Sequence, residues 1–155
     1  MERKTAITAD AGKHDLYINR TFDLPVDLLF KAYADAALVE QWMGTKVLEL
    51  DSRQHGAYRF ETSDHKGNIV VRAHGVIHEF VPNEKITRTF EMENAGFDVQ
   101  LEFLHFEAIG EDRSKLSIHM IFRSAELRDQ QLKLPFSYGI NMAHDRLETI
   151  VQQLK

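Results

Sequence analysis

The chain has 155 residues, no cysteine, and 19 basic against 24 acidic residues, which gives a formal net charge of −5 at pH 7. This length fits one domain that can bury a core of its own, while the missing cysteines exclude disulfides, thiolate nucleophiles and cysteine-ligated zinc. The acidic balance and the lack of any basic run argue against a nucleic-acid partner, and no apolar run reaches the ~20 residues that span a membrane.

The first twelve residues are small and polar, so we expect residues 1–12 to form a flexible lead-in to a single domain over residues 13–155. This segment lacks the apolar stretch that a secretory signal peptide carries. Together with the missing cysteines, it favours a cytoplasmic location.

The stretch HDLYINRTF, at residues 14–22, alternates between apolar and polar side chains and therefore predicts a β-strand. Arg20 lies on the same face of this strand as Leu16, Ile18 and Phe22. A charged group on an apolar face needs a partner when it is buried. We expect Arg20 to orient a ligand, to pair internally or to reach toward solvent.

Two short helices are predicted next. From Pro25 the apolar residues recur at helical spacing, and proline is tolerated where a helix begins. In DAALVEQWMG, Asp35 is placed to cap a second helix, which carries the single tryptophan, Trp42, and Gly44 is placed to end it.

From Thr45 onward the pattern changes to strands separated by tight turns. The segments KVLEL, AYRFET, NIVVRAHGVIHEFV, ITRTFEM, FDVQLEFLHFEA and SKLSIHMIFRS are rich in β-branched and aromatic residues. In FDVQLEFLHFEA, the face of Val99, Leu101, Phe103 and His105 is the more apolar one, so we predict that it points inward. Helical spacing then returns, which predicts a long final helix that begins near Phe136.

This order of elements predicts an α+β fold, in which a curved antiparallel sheet of about six to seven strands wraps around a long C-terminal helix. One helix cannot fill the whole concave side of such a sheet. We therefore expect a cavity between sheet and helix, with the two short helices at its mouth and Trp42 gating entry.

Several segments together resemble the START-like superfamily, also called SRPBCC, whose architecture is the helix-grip fold. They are NRTFDLPVDLLFKAYADAALVEQWMG, HGAYRFE, DHKGN, GVIHEFVPNEKITRTFE and YGINMAHDRLETIVQQL, in that order. Within the superfamily, the chain is most similar to the AHSA-type group, named after the C-terminal domain of the activator of heat-shock-protein ATPase. The resemblance implies a pocket for an apolar or amphipathic small molecule.

Three functions remain open at this point. The first is binding of a hydrophobic or amphipathic small molecule, lipids included, in the cavity. The second, implied by the AHSA-type resemblance, is a protein-interaction module that stimulates a heat-shock chaperone ATPase. The third is a small cyclase or hydrolase, as some superfamily members are. No catalytic residue is assigned, because Ser137 and His144 lie ~10 Å apart along the final helix, too far for a direct hydrogen bond.

The predicted ligand-binding residues are apolar positions expected to face the cavity, together with two polar groups on apolar faces. Arg88 and His105 are expected to select the head group of the ligand, and arginine suits an anion. The full set is Trp42, Met43, Tyr58, Phe60, Arg88, Phe90, Phe103, His105, Met120, Phe136 and Ile140.

No metal site and no cofactor are predicted. His74 and His78 are four residues apart on one strand, so their Cα atoms would lie ~13 Å apart, too far to share one ion. The sequence leaves the oligomeric state open, a homodimer included.

Overall fold

The computed structural model describes residues 4–133 and 135–155. Within these ranges the chain forms strands and helices in an order that matches most of the sequence pattern. They are β1 (Ala6–Thr8), β2 (Asp15–Phe22), α1 (Val26–Ala34), α2 (Ala36–Met43), β3 (Lys46–Leu50), β4 (Ala57–Ser63), β5 (Ile69–Val81), β6 (Lys85–Met92), β7 (Gln100–Gly110), β8 (Arg113–Ile121), α3 (Ala125–Lys133) and α4 (Phe136–Gln152).

The strands form one antiparallel sheet in the order β1-β2-β8-β7-β6-β5-β4-β3. Strands β3 to β8 are a meander, and β8 then pairs with β2. The predicted α+β class, with an antiparallel sheet and a C-terminal helix, is confirmed. The predicted count of six to seven strands is wrong, because the described residues form a sheet of eight. Among the described residues, no helix has the length and apolar character needed to cross a membrane.

The strand missing from the prediction is β1, which lies in the segment expected to be flexible. Ala6–Thr8 pairs with residues 17–19 of β2, and Arg128 of α3 donates a hydrogen bond to the carbonyl of Asp10 at 2.6 Å. Part of the predicted lead-in is therefore held to the sheet, while residues 1–3 lie outside the described residues. A strand of three residues is too short to show alternation.

Helices α1 and α2 follow the sequence prediction closely. Asp35 separates them, and its carboxylate accepts a hydrogen bond from the backbone N–H of Leu38 at 3.1 Å. Gly44 ends α2 in the left-handed conformation, with φ of 66°, and its N–H donates to the carbonyl of Glu40. The cap and the stop read from the sequence are both present.

Helix α3 is not predicted as a separate element. Its sequence, AELRDQQLK, is polar, and its buried residues are Arg128 and Gln131. A helix that turns polar side chains inward has no apolar stripe, so the periodicity that identifies the other helices is missing.

Helix α4 covers the concave side of the sheet unevenly. In its C-terminal half, Leu147 and Val151 are fully buried in the core. In its N-terminal half, Phe136, Ile140 and Ala143 are only partly buried. The helix is thus packed tightly at one end and leaves space beneath it at the other.

The contact between β4, β5 and β6 requires a glycine. Tyr58 lies opposite Gly75 in the register of β4 and β5, and it is fully buried. Its hydroxyl donates a hydrogen bond to the carbonyl oxygen of Thr89 in β6, so the ring crosses over Gly75 to reach the third strand. The register of β5 shifts between Ile69 and Val71 against β4 and between Ile77 and Glu79 against β6, so Gly75 lies in a regularly paired part of the strand.

We predict that Gly75→Ala destabilises the protein by about 1–3 kcal/mol. A Cβ at this position would overlap the carbonyl oxygen of Thr89 and lie 2.6 Å from the Tyr58 hydroxyl. Urea unfolding followed by circular dichroism measures the effect. The control is Gly139→Ala, where a Cβ meets nothing within 4 Å and helix propensity adds about 1 kcal/mol of stability. Equal stability of Gly75→Ala and the wild type would contradict the crossing of the Tyr58 ring.

Candidate ligand-binding site

A cavity of about 320 Å³ lies under the N-terminal half of α4, bounded by the inner face of the sheet and by α1, α2 and α3. Its volume is at the lower end of the ~300–1,000 Å³ typical of small-molecule pockets. Most of its wall is apolar. The lining residues are Tyr33, Trp42, Met43, Arg88, Phe90, Met92, Gln100, Glu102, Ile118, Met120, Gln131, Phe136, Gly139, Ile140 and Ala143.

Helix α4 forms the roof of the cavity. Phe136, Gly139, Ile140 and Ala143 recur three or four residues apart, so they share one face of the helix. Gly139 presents no side chain in the middle of this face, and a Cβ there would meet open space. The middle of the roof therefore has no side chain that fills the space below it.

The sheet forms the floor. Alternate residues of a strand point to the same face. For this reason β6 presents Arg88 and Phe90 to the cavity, while β8 presents Ile118 and Met120. Both residues of β8 are buried, whereas Phe90 is partly exposed.

Three polar side chains in the floor form one hydrogen-bonded group. Arg88 and Glu102 face each other in the register of β6 and β7, and Arg88 Nε donates to Glu102 Oε1 at 2.9 Å. Gln100 Nε2 donates to Glu102 Oε2 at 2.7 Å. The side chains of Arg88 and Glu102 are only 11% and 5% exposed. Both oxygens of the carboxylate are thus engaged, which is what a buried ion pair requires.

Two tyrosine rings surround the guanidinium of Arg88. Its central carbon lies 5.8 Å from the ring centre of Tyr33 and 5.3 Å from that of Tyr58, within the range of cation–π attraction. Burial opposes the charge of Arg88, but electrostatic interactions with Tyr58 and Glu102 outweigh it and raise its pKa. Burial also raises the pKa of both tyrosines, so their hydroxyls are neutral at physiological pH.

Gln131 of α3 adds an unused polar group to the cavity. The residue is 9% exposed, and its Oε1 is buried without a hydrogen-bond partner among the residues that the structure describes. A buried acceptor without a partner is unfavourable. Gln131 is therefore a lining residue with one amide oxygen that no described residue satisfies.

Seven of the predicted ligand-binding residues line the cavity: Trp42, Met43, Arg88, Phe90, Met120, Phe136 and Ile140. Two others, Tyr58 and Phe60, lie on β4 and are buried in the hydrophobic core, with their ring centres 5.1 Å apart. Neither lines the cavity. Tyr58 still contributes indirectly, because its ring supports the guanidinium of Arg88.

The last two predicted residues, Phe103 and His105, lie on the opposite face of the sheet, so the predicted orientation of β7 is wrong. His105 is exposed, and Phe103 packs on the outside against His119, with ring centres 5.9 Å apart. The inward-facing residues of β7 are Gln100, Glu102, Leu104 and Phe106. Two of these, Gln100 and Glu102, are polar and belong to the hydrogen-bonded group of Arg88. The more apolar face of the strand is therefore not the buried one.

The lining residues that sequence reasoning missed are Tyr33, Met92, Gln100, Glu102, Ile118, Gln131, Gly139 and Ala143. Of these, Glu102 could have been found from the sequence. Arg88 lies on an apolar face and needs a buried acidic partner, and pairing β6 with β7 would have indicated Glu102. Gln131 could not have been found in this way, because it lies in a polar segment.

A second buried polar group anchors α4 beside the cavity. His144 is fully buried, with its Nδ1 3.0 Å from the Thr5 hydroxyl and its Nε2 3.1 Å from the Tyr33 hydroxyl. Burial, reinforced by the charge of Arg20, lowers the pKa of His144 to about 3, so the ring is neutral. Tyr33 also lines the cavity and therefore connects the two polar groups.

Arg20 of β2 completes this anchor. It forms ion pairs with Asp145 at 2.8 Å and with Glu148 at 3.3 Å, both on α4. The second oxygen of Glu148 accepts a hydrogen bond from the backbone N–H of Asp23 at 2.7 Å. Of the roles considered for Arg20, the structure therefore has internal pairing.

The histidines discussed as metal ligands have other contacts. His74 Nδ1 lies 3.0 Å from a carboxylate oxygen of Glu93, and His78 is exposed. Among the described residues, no group of three or more His, Asp or Glu side chains is placed to hold a metal ion.

Comparison with known proteins identifies relatives by sequence and by fold. Residues 23–152 match the model of a family described as Activator of Hsp90 ATPase homolog 1-like protein. Among solved structures, a protein from Rhodobacter sphaeroides has a TM-score of 0.83 at 16% identity, covering 96% of this chain and 99% of its own. Protein Ms6760 from Mycobacterium smegmatis has a TM-score of 0.82 at 18% identity, covering 94% and 95%. None of the curated proteins matches the chain.

Protein CV1439 from Chromobacterium violaceum is a further structural relative, with a TM-score of 0.75 at 23% identity over 89% of this chain and 96% of its own. At such identities the structural likeness establishes the shared fold alone.

Trp42 is predicted to be a structural anchor as well as part of the cavity wall. It is 3% exposed, and its Nε1 donates to the carbonyl of Ala32 at 2.8 Å. We expect Trp42→Ala to cost about 3–5 kcal/mol and Trp42→Phe, which keeps a ring, clearly less. Urea unfolding followed by circular dichroism compares them. If Trp42→Ala were as stable as the wild type, the indole would be a gate without an anchoring role.

His144 predicts a loss of stability at acidic pH. The unfolded chain binds a proton at this ring below about pH 6.5, whereas the folded protein does so only near 3. Between these values stability falls as pH falls, by up to about 1.4 kcal/mol per pH unit. The variant His144→Gln lacks this titration, so from neutral pH to about pH 5 the wild type should lose about 2 kcal/mol more than the variant. Parallel pH profiles in urea unfolding would contradict a neutral, buried His144.

Proposed function

The chain belongs to the family of Activator of Hsp90 ATPase homolog 1-like proteins, and from this premise we propose that it binds a hydrophobic or amphipathic small molecule under α4. The observation that carries the proposal is the apolar cavity with one hydrogen-bonded polar group in its floor. Such a combination is typical of small-molecule sites, where the apolar wall gives affinity and a few polar groups give orientation. Burial of ligand surface contributes ~25 cal/mol per Å².

The proposed ligand-binding residues are the seven predicted ones that line the cavity, joined by the polar residues that sequence reasoning missed. Trp42, Phe136 and Ile140 supply apolar contact. Arg88 and Gln131 supply hydrogen bonds. In this proposal, Phe103 and His105 have no role, since they lie on the outer face of the sheet.

The alternative functions have less support. A cyclase or hydrolase needs a free acid or base, but Glu102 is the only carboxylate among the described lining residues and both its oxygens accept hydrogen bonds. Stimulation of a chaperone ATPase stays a prediction from the family resemblance, to be tested by the ATPase rate of the chaperone with and without this protein. A cytoplasmic location likewise stays a prediction.

The proposed site is tested with the neutral fluorescent probe N-phenyl-1-naphthylamine. Trp42 is the single tryptophan and lies in the cavity wall, so energy transfer from Trp42 to the probe reports that the probe is bound, and a substitution in the roof then tests where it binds. We expect Gly139→Leu, which projects a side chain into open space at the roof, to weaken binding by about tenfold or more, a change of about 1.4 kcal/mol.

Gly139→Ala is the matched control, because it changes the same glycine but leaves the cavity open. Both variants should fold, since each replaces a helical glycine by a better helix former. Unchanged probe affinity in Gly139→Leu would place the probe elsewhere and contradict the proposed site.

A further inference from the structure

We propose that the polar end of the ligand is an electrically neutral group, such as a primary amide or a hydroxyl, that accepts a hydrogen bond from Arg88 and bonds to the amide of Gln131. The inference rests on the proposed function of the same cavity and specifies the chemistry of its ligand. It replaces the anionic head group that the sequence suggests for Arg88.

The charge of Arg88 is already neutralised by the protein. Its ion pair with Glu102 is 2.9 Å long, and the two side chains are 11% and 5% exposed. No other charged residue is found among the described residues that line the cavity. A ligand carboxylate that reaches Arg88 would add one uncompensated negative charge beside two nearly buried side chains, and a buried charge without a partner is strongly unfavourable.

A ligand cation meets the opposite difficulty. Glu102 is the only anionic group of the described lining, and its two oxygens accept from Arg88 and Gln100. An ammonium group would have to displace one of these donors or remain unpaired. Neither sign of charge therefore fits the floor of the cavity.

The floor and the neighbouring helix nevertheless retain hydrogen-bonding capacity. The bond to Glu102 uses Nε of Arg88, and the two terminal nitrogens of a guanidinium carry four further N–H groups. Gln131 has a buried Oε1 without a partner in the described part of the chain. Its amide offers an acceptor at one atom and donors at the other. A neutral group with an acceptor and a donor satisfies both residues without adding charge.

The test is a set of four compounds that share a phenyl ring and a short alkyl chain: 4-phenylbutanamide, 4-phenylbutan-1-ol, 4-phenylbutanoate and pentylbenzene. The amide and the carboxylate have nearly the same shape and differ in charge. Binding is measured at neutral pH from Trp42 fluorescence and from the shift of the thermal unfolding midpoint. We expect the amide and the alcohol to bind at least about tenfold more tightly than the carboxylate.

Two variants locate the cause. Glu102→Gln leaves Arg88 without its counter-charge, so the carboxylate should gain about tenfold or more relative to the amide. Gln131→Leu should weaken the amide and the alcohol relative to pentylbenzene and leave the ratio of carboxylate to pentylbenzene unchanged. The control is Glu107→Gln, which removes an exposed carboxylate from the same strand and should change no ratio.

The outcomes separate the two levels of the proposal. If the wild type binds the carboxylate as tightly as the amide while pentylbenzene also binds, the neutral head group is wrong and the apolar site stands. If none of the four compounds changes Trp42 fluorescence or the unfolding midpoint, the proposed function itself is overturned. The wild-type comparison alone decides between these results, even if Glu102→Gln fails to fold.

Discussion

The packing of the C-terminal half of α4 against the sheet and the N-terminal strands determines the rest of the structure. Leu147 and Val151 are fully buried. The polar contacts of His144 and Glu148 hold the same part of the helix to β2, α1 and the N-terminal segment. With the helix held there, its first three turns extend over a part of the sheet that they do not fill. The cavity lies where the helix, held by its C-terminal half, does not fill the concave side of the sheet.

Two buried polar groups lie beside α4, one at its C-terminal half and one under its N-terminal half. The Arg20 group, with Asp145 and Glu148, is paired in charge within the protein and has a structural role, although Nε of Arg20 has no hydrogen-bond partner among the described residues. The Arg88 group lies under the cavity and is satisfied in charge, but it leaves hydrogen-bonding capacity unused. Polar groups that complete one another are typical of a core, while unused capacity beside an apolar wall is typical of a site prepared for a ligand.

Sequence reasoning reached most of the fold because local signals agreed with it. Alternation together with β-branched and aromatic content predicted seven of the strands, and Asp35 and Gly44 marked the ends of α2. It failed where polar residues are buried. Helix α3 was not predicted because it buries Gln131, and the wrong face of β7 was predicted to be buried because the strand buries Glu102. Both errors arise because patterns of apolar residues assume that polar side chains point outward. These failures lie in the cavity wall, where a ligand site needs polar groups inside the protein.

The anchor of α4 also determines the order in which the protein can fold. Thr5 and His144 are separated by 139 positions, and Arg20 and Glu148 by 128. Contacts between such distant residues form late, since most of the chain must be ordered before they close. During synthesis the N-terminal segment is made before α4, so its contacts with this helix cannot form until the helix has been made. The meander of β3 to β8 can form in the meantime from neighbouring strands. Because the cavity lies under α4, the proposed site is complete only after this helix has docked on the sheet.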